Sequence, residues 1–406
     1  MIKRIVKQLT KRLGFEITRY SSKLNGKAIV SLKTENTCQG NVLLSYITDP
    51  FLLKEGEPVS NTHTHDGESL QIAKTFLKLG YNVDVIDYRD STFVPQKAYS
   101  IFVSARTNFQ RIAQKLNEDC LKIVHLDTAH WLFNNTAAYK RCLALQQRRA
   151  VTLESLTWVE PNWAIEYADC ATVLGNTFTV NTYSYAQKPI YRLPIPTCTV
   201  YPWREDNNYN NRRNQFLWFG SRGLVHKGLD LVLEAFVEMP ENHLTVCGPI
   251  QKDKDFEKTF YKELYQTSNI HTVDFVDVCS SEFVEIASKC IGLVYPSSSE
   301  GQSGAVATCL QAGLIPIISY ESGIDVDDFG LVLKDCSIDE ITSAIRMVSS
   351  LSGEELKLMS RKAWENGRAN YTIEKFAEEY EKIVEKIVTD HRINRNVKIP
   401  GKVNVN

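Results

Sequence analysis

The chain has 406 residues, of which 43% are hydrophobic and 23% are charged, and its net charge is −1. A chain of this length usually forms more than one hydrophobic core, and its composition is that of a folded protein rather than a disordered one. The near-neutral charge argues against nucleic acid as a partner, because such binding needs a concentrated basic surface. Ten cysteines occur singly with no CxxC pair, which indicates a reducing compartment and no cysteine-bound metal.

The first 23 residues combine apolar positions at helical spacing with basic side chains. The apolar members are Ile2, Ile5, Val6, Leu9 and Leu13, and lysine or arginine occupies positions 3, 4, 7, 11 and 12. This pattern fits a helix on an anionic membrane surface and equally a helix packed on the first domain. No run approaches the ~18 apolar residues that span a bilayer. We therefore expect a cytoplasmic protein whose membrane contact, if it has one, is peripheral and made by residues 1–23.

Short apolar runs alternate with amphipathic stretches from Asn41 onward, a pattern typical of a parallel sheet covered by helices. The first series predicts a helix at 67–79 and strands at 41–47, 80–88, 100–105, 121–126, 170–175 and 189–195. The second predicts strands at 215–220, 243–248, 270–275, 290–296, 314–319 and 329–333, with helices at 227–238, 253–266, 281–288 and 303–312. An asparagine-rich polar stretch separates the two series and predicts a linker.

These elements predict an α/β fold with two doubly wound, Rossmann-like domains in tandem. The expected divisions are a basic N-terminal segment (1–40), a first domain (41–200), a linker (201–214), a second domain (215–370), a C-terminal helix (371–390) and a polar tail (391–406). Domains of this kind bind ligands outside the carboxyl ends of their strands, so the two sheets are expected to face one cleft.

Two loops of the second domain carry residues that suit a phosphate. The run FGSRGLVHKG (219–228) places Arg222 and Lys227 after a strand, where positive side chains favour a diphosphate. The run YPSSSEGQSG (295–304) has small residues before a helix, whose first amides attract an anion. Glu300 within it is a poor neighbour for a phosphate but a good acceptor for sugar hydroxyls. Taken singly, each loop is explained as well by a solvated cation or a helix cap.

The ordered set of these runs, with LTVCGP (244–249) between them and Pro316 downstream, resembles the donor domain of family 4 glycosyltransferases, which have the GT-B fold. The resemblance is detailed over about 216–388 and only architectural in the first domain. It implies that Glu300 lies at the transferred sugar and that the last helix crosses back to the first domain. It also implies a diphosphate site made of Ser221, Arg222, Lys227, Gly301, Gln302, Ser303 and Gly304.

One position departs from the family. Members usually carry a second glutamate eight residues after the first, which holds the nucleotide ribose, whereas this chain has Thr308 there. A single hydroxyl holds a ribose diol less strongly than a carboxylate does. Phe275 and Val276, at the end of a predicted strand, are the other residues that we expect at the nucleotide.

The resemblance also indicates candidates in the first domain. Retaining enzymes similar to this chain often keep a histidine at the end of the strand that IVHLDTAHW (123–131) represents, where it contacts the donor sugar. The resemblance therefore implies His130 as the first candidate for a catalytic histidine, beside Glu300 and Lys227, and His125 as the second. A histidine inside a strand is more often a core or edge residue than a functional one, which leaves the role of His125 open. The stretch 61–69 takes the place of the acceptor loop, with Asp66, Gly67 and Glu68 as acceptor-side candidates.

Metal binding is not expected. His63 and His65 form an H-x-H pair without a third ligand, and Asp325 to Asp328 is interpreted as a solvated acidic loop. The resemblance implies that the helix N-terminus and basic side chains neutralise the leaving diphosphate, so neither a metal nor another cofactor is needed.

The expected function is a retaining glycosyltransferase that moves a sugar from a nucleoside-diphosphate sugar to a glycan or lipid-linked acceptor, as in polysaccharide biosynthesis. The alternative, motivated by Thr308, is a non-catalytic GT-B scaffold that binds a nucleotide sugar within a glycan-assembly complex. A GT-B epimerase would share only the fold and the diphosphate site. A nicotinamide-dependent oxidoreductase is excluded because neither domain has a G-x-G-x-x-G run after its first strand.

Overall fold

The computed structural model describes residues 16–17, 29–54, 57, 59, 64–154, 157–205 and 208–397. The amphipathic segment predicted over residues 1–23 lies outside the described residues apart from Glu16–Ile17, and so do His63 and residues 398–406 of the predicted tail. Within the described part of the chain, no helix is long and apolar enough to cross a membrane.

Two separate sheets form the framework. The first has the order β1-β2-β4-β3-β5-β6-β7-β8 and is parallel except for β1 and β2 at one edge. Its strands are β1 (Glu16–Ile17), β2 (Val30–Lys33), β3 (Gly40–Tyr46), β4 (Tyr81–Asp87), β5 (Ile101–Ala105), β6 (Leu121–Leu126), β7 (Cys170–Leu174) and β8 (Ile190–Leu193). The second is entirely parallel, with the order β11-β10-β9-β12-β13-β14. Its strands are β9 (Gln215–Phe219), β10 (His243–Cys247), β11 (Ile270–Val273), β12 (Gly292–Tyr295), β13 (Ile315–Ser319) and β14 (Leu331–Leu333).

Helices cover the faces of both sheets, and this confirms the predicted pair of doubly wound α/β domains. In the first half they are α1 (His65–Lys78), α2 (Phe109–Ala113), α3 (Trp131–Arg149), α4 (Ala164–Tyr167) and α5 (Thr177–Asn181). In the second half they are α6 (Tyr209–Arg212), α7 (Leu229–Val237), α8 (Lys254–Thr259), α9 (Tyr261–Gln266), α10 (Ser281–Lys289), α11 (Gly304–Gln311), α12 (Ile338–Ser350), α13 (Gly353–Asn370) and α14 (Ile373–Val397).

Strands β3 to β14 coincide with the twelve predicted strands to within two residues at each end. These strands could be predicted from the sequence because a strand covered on both faces is a continuous apolar run. In β5 and β13, for example, every residue is buried. The single helix predicted at 253–266 is wrong in detail, since the chain breaks into α8 and α9 at the fully buried Phe260.

Helix α3 joins the two domains. It begins directly after β6 of the first sheet, yet Leu145 near its end is fully buried in the hydrophobic core of the second domain. In its last turn, Arg148 lies 2.5 Å from Asp230, and Arg149 lies 2.9 Å from Glu234. The end of α3 therefore packs on the second domain, although it precedes the linker predicted at residues 201–214.

Helix α14 crosses in the opposite direction. The Tyr380 ring is fully buried and contacts the Phe76 ring edge-on at 6.3 Å, and Glu381 forms a 2.5 Å ion pair with Lys78 of α1. The helix continues to Val397, so the predicted end at residue 390 is wrong. The reason is that no glycine or proline interrupts the sequence before Pro400.

Replacing Leu145 tests whether α3 is part of the second core. We expect Leu145→Ala to lower the free energy of unfolding by about 2–5 kcal/mol, because it leaves a cavity among packed side chains. The control Leu143→Ala removes a side chain that is 56% exposed on the same helix and should change stability by about 0.5 kcal/mol or less. Urea denaturation measures both, and equal effects would contradict the packing of α3.

Candidate functional site

A cavity of about 500 Å³ lies between the carboxyl ends of the two sheets. In the second sheet it opens at β9, where the strand order reverses, and this is the usual ligand position in doubly wound domains. The cavity wall brings together these predicted donor-site residues: Ser221, Arg222, Lys227, Phe275, Val276, Glu300, Gln302, Ser303, Gly304 and Thr308. The first domain contributes Thr64, His65 and Asp127 among others.

Lys227 and Glu300 form an ion pair in this wall. The Lys227 Nζ donates to Glu300 Oε1 at 2.5 Å and to the Tyr295 hydroxyl at 2.9 Å. The Tyr295 and Ser297 hydroxyls each donate to the same Oε1 at 3.0 Å. Among the described residues, Glu300 Oε2 has no hydrogen-bond partner, so this oxygen is available to a ligand in the cavity.

Both members of the pair are charged at neutral pH. Burial opposes the charged form of Lys227, but the Glu300 carboxylate and the Tyr295 hydroxyl outweigh it and raise the pKa of the amine. Burial likewise favours the neutral form of Glu300, yet Lys227 keeps the pKa of the carboxyl below its usual range. A lysine ammonium has three N–H groups, and two are used here, so one is left for a ligand.

The backbone at Gly228 explains why a glycine follows Lys227. Its φ of 73° lies in the left-handed region, and a Cβ at this position would come within 2.6 Å of the Pro296 carbonyl oxygen. The loop after β9 can therefore press directly against the loop after β12, which brings Lys227 to Glu300.

His226 supports the turn that carries Glu300. Its Nε2 donates to the Ser299 carbonyl at 2.5 Å, and the Ser298 hydroxyl donates to its Nδ1 at 3.1 Å. Burial lowers the pKa of His226 to about 4, so the ring is neutral at pH 7 and both bonds can form. No sequence pattern had singled out His226 as a functional residue.

Ser303 caps helix α11 instead of offering its own amide to a ligand. Its hydroxyl accepts from the Val306 amide at 3.4 Å, and its amide donates to the Ser322 carbonyl at 2.9 Å. The first helical residues, Gly304 and Ala305, line the cavity, and their amides have no acceptor inside the helix. The side-chain oxygen of Gln302 is also engaged within the protein, because Oε1 accepts from the Ile195 amide at 2.5 Å.

Gly301 lies against the first domain rather than in the cavity wall. A Cβ at this position would lie 2.3 Å from the Asp127 carbonyl oxygen and 2.9 Å from that of Leu174. Its own carbonyl accepts from the Thr179 hydroxyl at 3.0 Å. The missing side chain therefore allows close packing of the two domains, and the role of Gly301 as an amide donor to phosphate stays a prediction.

On the first-domain side, His65 reaches the cavity and Glu68 lies behind it. Glu68 is fully buried, and its Oε2 accepts from the Tyr46 hydroxyl at 2.7 Å and lies 3.0 Å from His65 Nδ1. Burial raises the pKa of the Glu68 carboxyl, but His65 and His125 outweigh this and hold it well below its usual range. The His65 Nε2 is 3.8 Å from the carboxylate of Asp127.

The predicted acceptor-side residues therefore do not line the cavity themselves. Residues 65 and 68 share one helix face because they are three positions apart. Gly67 lies on another face, where a Cβ would be 3.4 Å from Ile373 of α14, and Asp66 is likewise absent from the cavity wall. Glu68 is connected to the cavity through His65.

The two histidine candidates of the first domain also lie outside the cavity wall. His130 is the N-cap of α3, where its Nδ1 accepts from the Leu132 amide at 3.4 Å and its Nε2 lies 3.1 Å from the Tyr185 hydroxyl. His125 is only 1% exposed, and its Nδ1 lies 2.8 Å from the Thr172 hydroxyl.

Three charged residues of the cavity wall, Lys252, Asp127 and Asp277, were missed by sequence reasoning. Lys252 lies in a short turn after β10 whose sequence has no distinguishing feature. Asp127 follows β6 directly within the run already noted, so its position at a strand end was a usable signal. Its carboxylate also pairs with Arg106.

Two carboxylates of the acidic run 325–328 form ion pairs with basic side chains. Asp325 contacts Arg192, and Asp328 contacts Lys362. The described residues contain no group of three or more His, Cys, Asp or Glu side chains arranged to hold a metal ion.

Comparison with known proteins gives a family match and several structural matches. Residues 202–368 match the family described as glycosyl transferases group 1, whereas no curated protein sequence matches the chain. The fold is similar to sucrose-phosphate synthase from Thermosynechococcus elongatus, at 14% identity and TM-score 0.60, covering 86% of this chain and 99% of that one. It is also similar to alpha,alpha-trehalose 6-phosphate synthase from Burkholderia multivorans, at 9% identity and TM-score 0.60, covering 90% and 100%.

A third match is a TarM mutant from S. aureus in complex with fondaparinux, alpha-GlcNAc-glycerol and UDP, at 10% identity and TM-score 0.51. The match covers 78% of this chain and 58% of TarM, so the chain spans little more than half of that protein. These structural matches show the fold. The chain has the GT-B fold, and its residues 202–368 match the glycosyl transferases group 1 family.

Proposed function

We propose that this protein transfers a sugar from a nucleoside-diphosphate sugar to an acceptor hydroxyl with retention of the anomeric configuration. The observation that carries the proposal is the Lys227–Glu300 pair beside the start of α11, inside the cleft between the two sheets. It puts a cation for a phosphate and a carboxylate oxygen for a sugar within one cavity. The family match supports the reaction type, and the UDP in the TarM complex supports the donor class.

In this proposal the diphosphate lies between the start of α11 and three basic side chains. Lys227 offers its remaining N–H, Arg222 and Lys252 are exposed and line the same cavity, and the helix start offers the amides of Gly304 and Ala305. Preorganised donors of this kind stabilise the charge that develops on the leaving group. We propose that they suffice without a metal ion, and transfer that persists in EDTA would support this.

The sugar is placed by Glu300. Its Oε1 is fixed by three donors, so the free Oε2 can accept from sugar hydroxyls without a change of rotamer. We place the nucleotide against Thr308, Phe275 and Val276; Thr308 is 7% exposed and Phe275 is 61% exposed.

The acceptor would enter from the first domain, past His65 and Asp127. We propose a glycan or lipid-linked acceptor and a cytoplasmic enzyme, with residues 1–23 as its peripheral membrane contact. We also retain the predicted domain divisions, with helices α3 and α14 crossing between the two domains.

Thr308 supports the alternative function, a non-catalytic scaffold that binds a nucleotide sugar. With one hydroxyl where relatives carry a carboxylate, the chain could hold a nucleotide sugar weakly and act as a scaffold in a glycan-assembly complex. Calorimetry and turnover assays with a panel of UDP-, GDP-, dTDP- and ADP-sugars separate the two functions. Donor hydrolysis or transfer supports the enzyme, and binding without turnover on any acceptor supports the scaffold.

Removal of Lys227 tests the leaving-group assignment. We expect Lys227→Ala to reduce kcat for donor hydrolysis or transfer by about 10²–10³-fold, the effect typical of losing one preorganised donor. Lys258→Ala, which removes an exposed lysine from α8, should leave the rate unchanged. Because the variant leaves Glu300 buried without its cation, its melting temperature is measured alongside. Full activity in folded Lys227→Ala would refute the assignment.

Substitution of Glu300 tests the sugar contact separately from nucleotide binding. Glu300→Gln keeps one oxygen for Lys227, Tyr295 and Ser297 but turns the free oxygen into an amide donor. We expect UDP affinity within about threefold of wild type and transfer lowered by about 10²-fold or more, because a charge-assisted bond to the sugar is lost. Glu282→Gln, on the exposed face of α10, is the matched control. Unchanged transfer would contradict the proposed contact.

Introducing a carboxylate at position 308 tests the ribose site. Thr308→Glu should tighten UDP binding by about tenfold, because a carboxylate accepts two charge-assisted hydrogen bonds from a ribose diol. Thr308→Gln has the same size without the charge and serves as the control. Calorimetry with UDP and with inorganic diphosphate measures the effect, which should appear for UDP alone. Equal affinities of both variants for UDP would place the ribose elsewhere.

A further inference from the structure

An aromatic groove of about 560 Å³ lies on the first domain, apart from the donor cavity. We define it by Trp163, Tyr185, Phe133, Glu166, His130 and Lys140, which line it together with a few neighbours. Trp163 is 50% exposed and Tyr185 is 53% exposed. Exposed aromatic rings clustered in one concave surface indicate a binding site rather than ordinary surface variation.

The polar side chains of the groove hold one of these rings in place. The Tyr185 hydroxyl donates to Glu166 Oε1 at 2.7 Å and lies 3.1 Å from His130 Nε2. Burial lowers the pKa of His130, so its ring is neutral at pH 7. Since His130 Nδ1 accepts from the Leu132 amide, the hydrogen is on Nε2, which donates to the Tyr185 oxygen. The Tyr185 ring is therefore fixed before any ligand arrives.

The groove adjoins the donor cavity. Asp127 lines the cavity, and His130 lines the groove only three residues later, so their Cα atoms are at most about 11 Å apart. The turn between them is fixed on the groove side, because the Tyr183 hydroxyl donates to the Thr128 carbonyl at 2.9 Å and the His130 amide donates to the Thr182 hydroxyl at 3.0 Å. A ligand that spans this turn would touch both sites.

The chemistry of the groove matches a saccharide chain. A pyranose ring has a face of C–H bonds, which packs on the negative face of an aromatic ring, and a rim of hydroxyls. Glu166 can accept from such hydroxyls and Lys140 can donate to them. An anionic lipid surface fits less well, because a carboxylate lies among the aromatic residues and repels lipid phosphates.

We propose that the aromatic groove binds the acceptor glycan, a few sugar units behind the hydroxyl that receives the new sugar. The inference rests on the proposed transferase function and narrows its acceptor to an oligosaccharide or polysaccharide chain. It assigns Trp163 and Tyr185 as stacking platforms. It also gives His130 a positioning role toward Tyr185 in place of a contact with the donor sugar.

Trp163 and Trp158 provide a matched pair for the test. Both are 50% exposed, but Trp158 contacts Tyr139 outside the groove. Full-length wild type, Trp163→Ala and Trp158→Ala are titrated with malto-, cello- and chito-oligosaccharides of about one to six units by saturation-transfer NMR and calorimetry. We expect affinity to rise with chain length and Trp163→Ala to weaken the best oligosaccharide about tenfold, whereas Trp158→Ala has no effect.

Two further titrations complete the design. UDP affinity should be equal in all three proteins, because neither tryptophan lines the donor cavity. Vesicles of phosphatidylcholine with phosphatidylglycerol test a lipid surface as the occupant. The proposal is overturned if no oligosaccharide binds wild type, if both variants bind oligosaccharides alike, or if Trp163→Ala loses only vesicle binding. Failure of UDP to bind, with Trp163-dependent saccharide binding intact, would remove the donor function and leave the groove as a glycan site.

Discussion

The ion pair between Lys227 and Glu300 is the interaction on which the donor cleft depends. Removing two charges from water costs several kcal/mol per ion in general, and the cost is offset only where geometry and additional hydrogen bonds are good. Here Tyr295 and Ser297 complete the hydrogen bonding, and His226 fixes the turn that carries the carboxylate. The pair thus determines where the loop after β12 lies relative to the loop after β9.

That same turn determines how the two domains meet. A Cβ on Gly301 would clash with the backbone of the first domain, and Gln302 accepts a hydrogen bond from the Ile195 amide. The Asn176 side chain donates to the Tyr320 carbonyl at 3.0 Å from the other side of the cleft. Residues expected to bind phosphate therefore also serve as the contact between domains, so the shape of the cavity and the relative position of the sheets are set together.

The first domain contributes two surfaces with different chemistry. His65 and Asp127 line the donor cavity, with Glu68 buried behind His65, while the aromatic groove at the start of α3 presents rings and a few polar groups. His130 follows Asp127 by three residues. Its ring lines the groove, because it caps α3 and contacts the Tyr185 hydroxyl. One short turn after β6 thus connects the cavity with the surface that we propose for the acceptor.

Strands β3 to β14, and the residues at the strand ends of the second domain, could be predicted from the sequence. Both are local properties: buried strands are continuous apolar runs, and loop glycines mark close approaches such as Gly228 against Pro296. Which side chains face the cavity could not be predicted from the sequence, because side-chain orientation depends on packing partners that are distant in the chain. Gly301 is enclosed by Asp127 and Leu174, Gly67 lies against Ile373, and Leu145 joins the core of the other domain. No periodicity records such contacts, since Gly301 is 127 positions from Leu174 and Gly67 is 306 positions from Ile373.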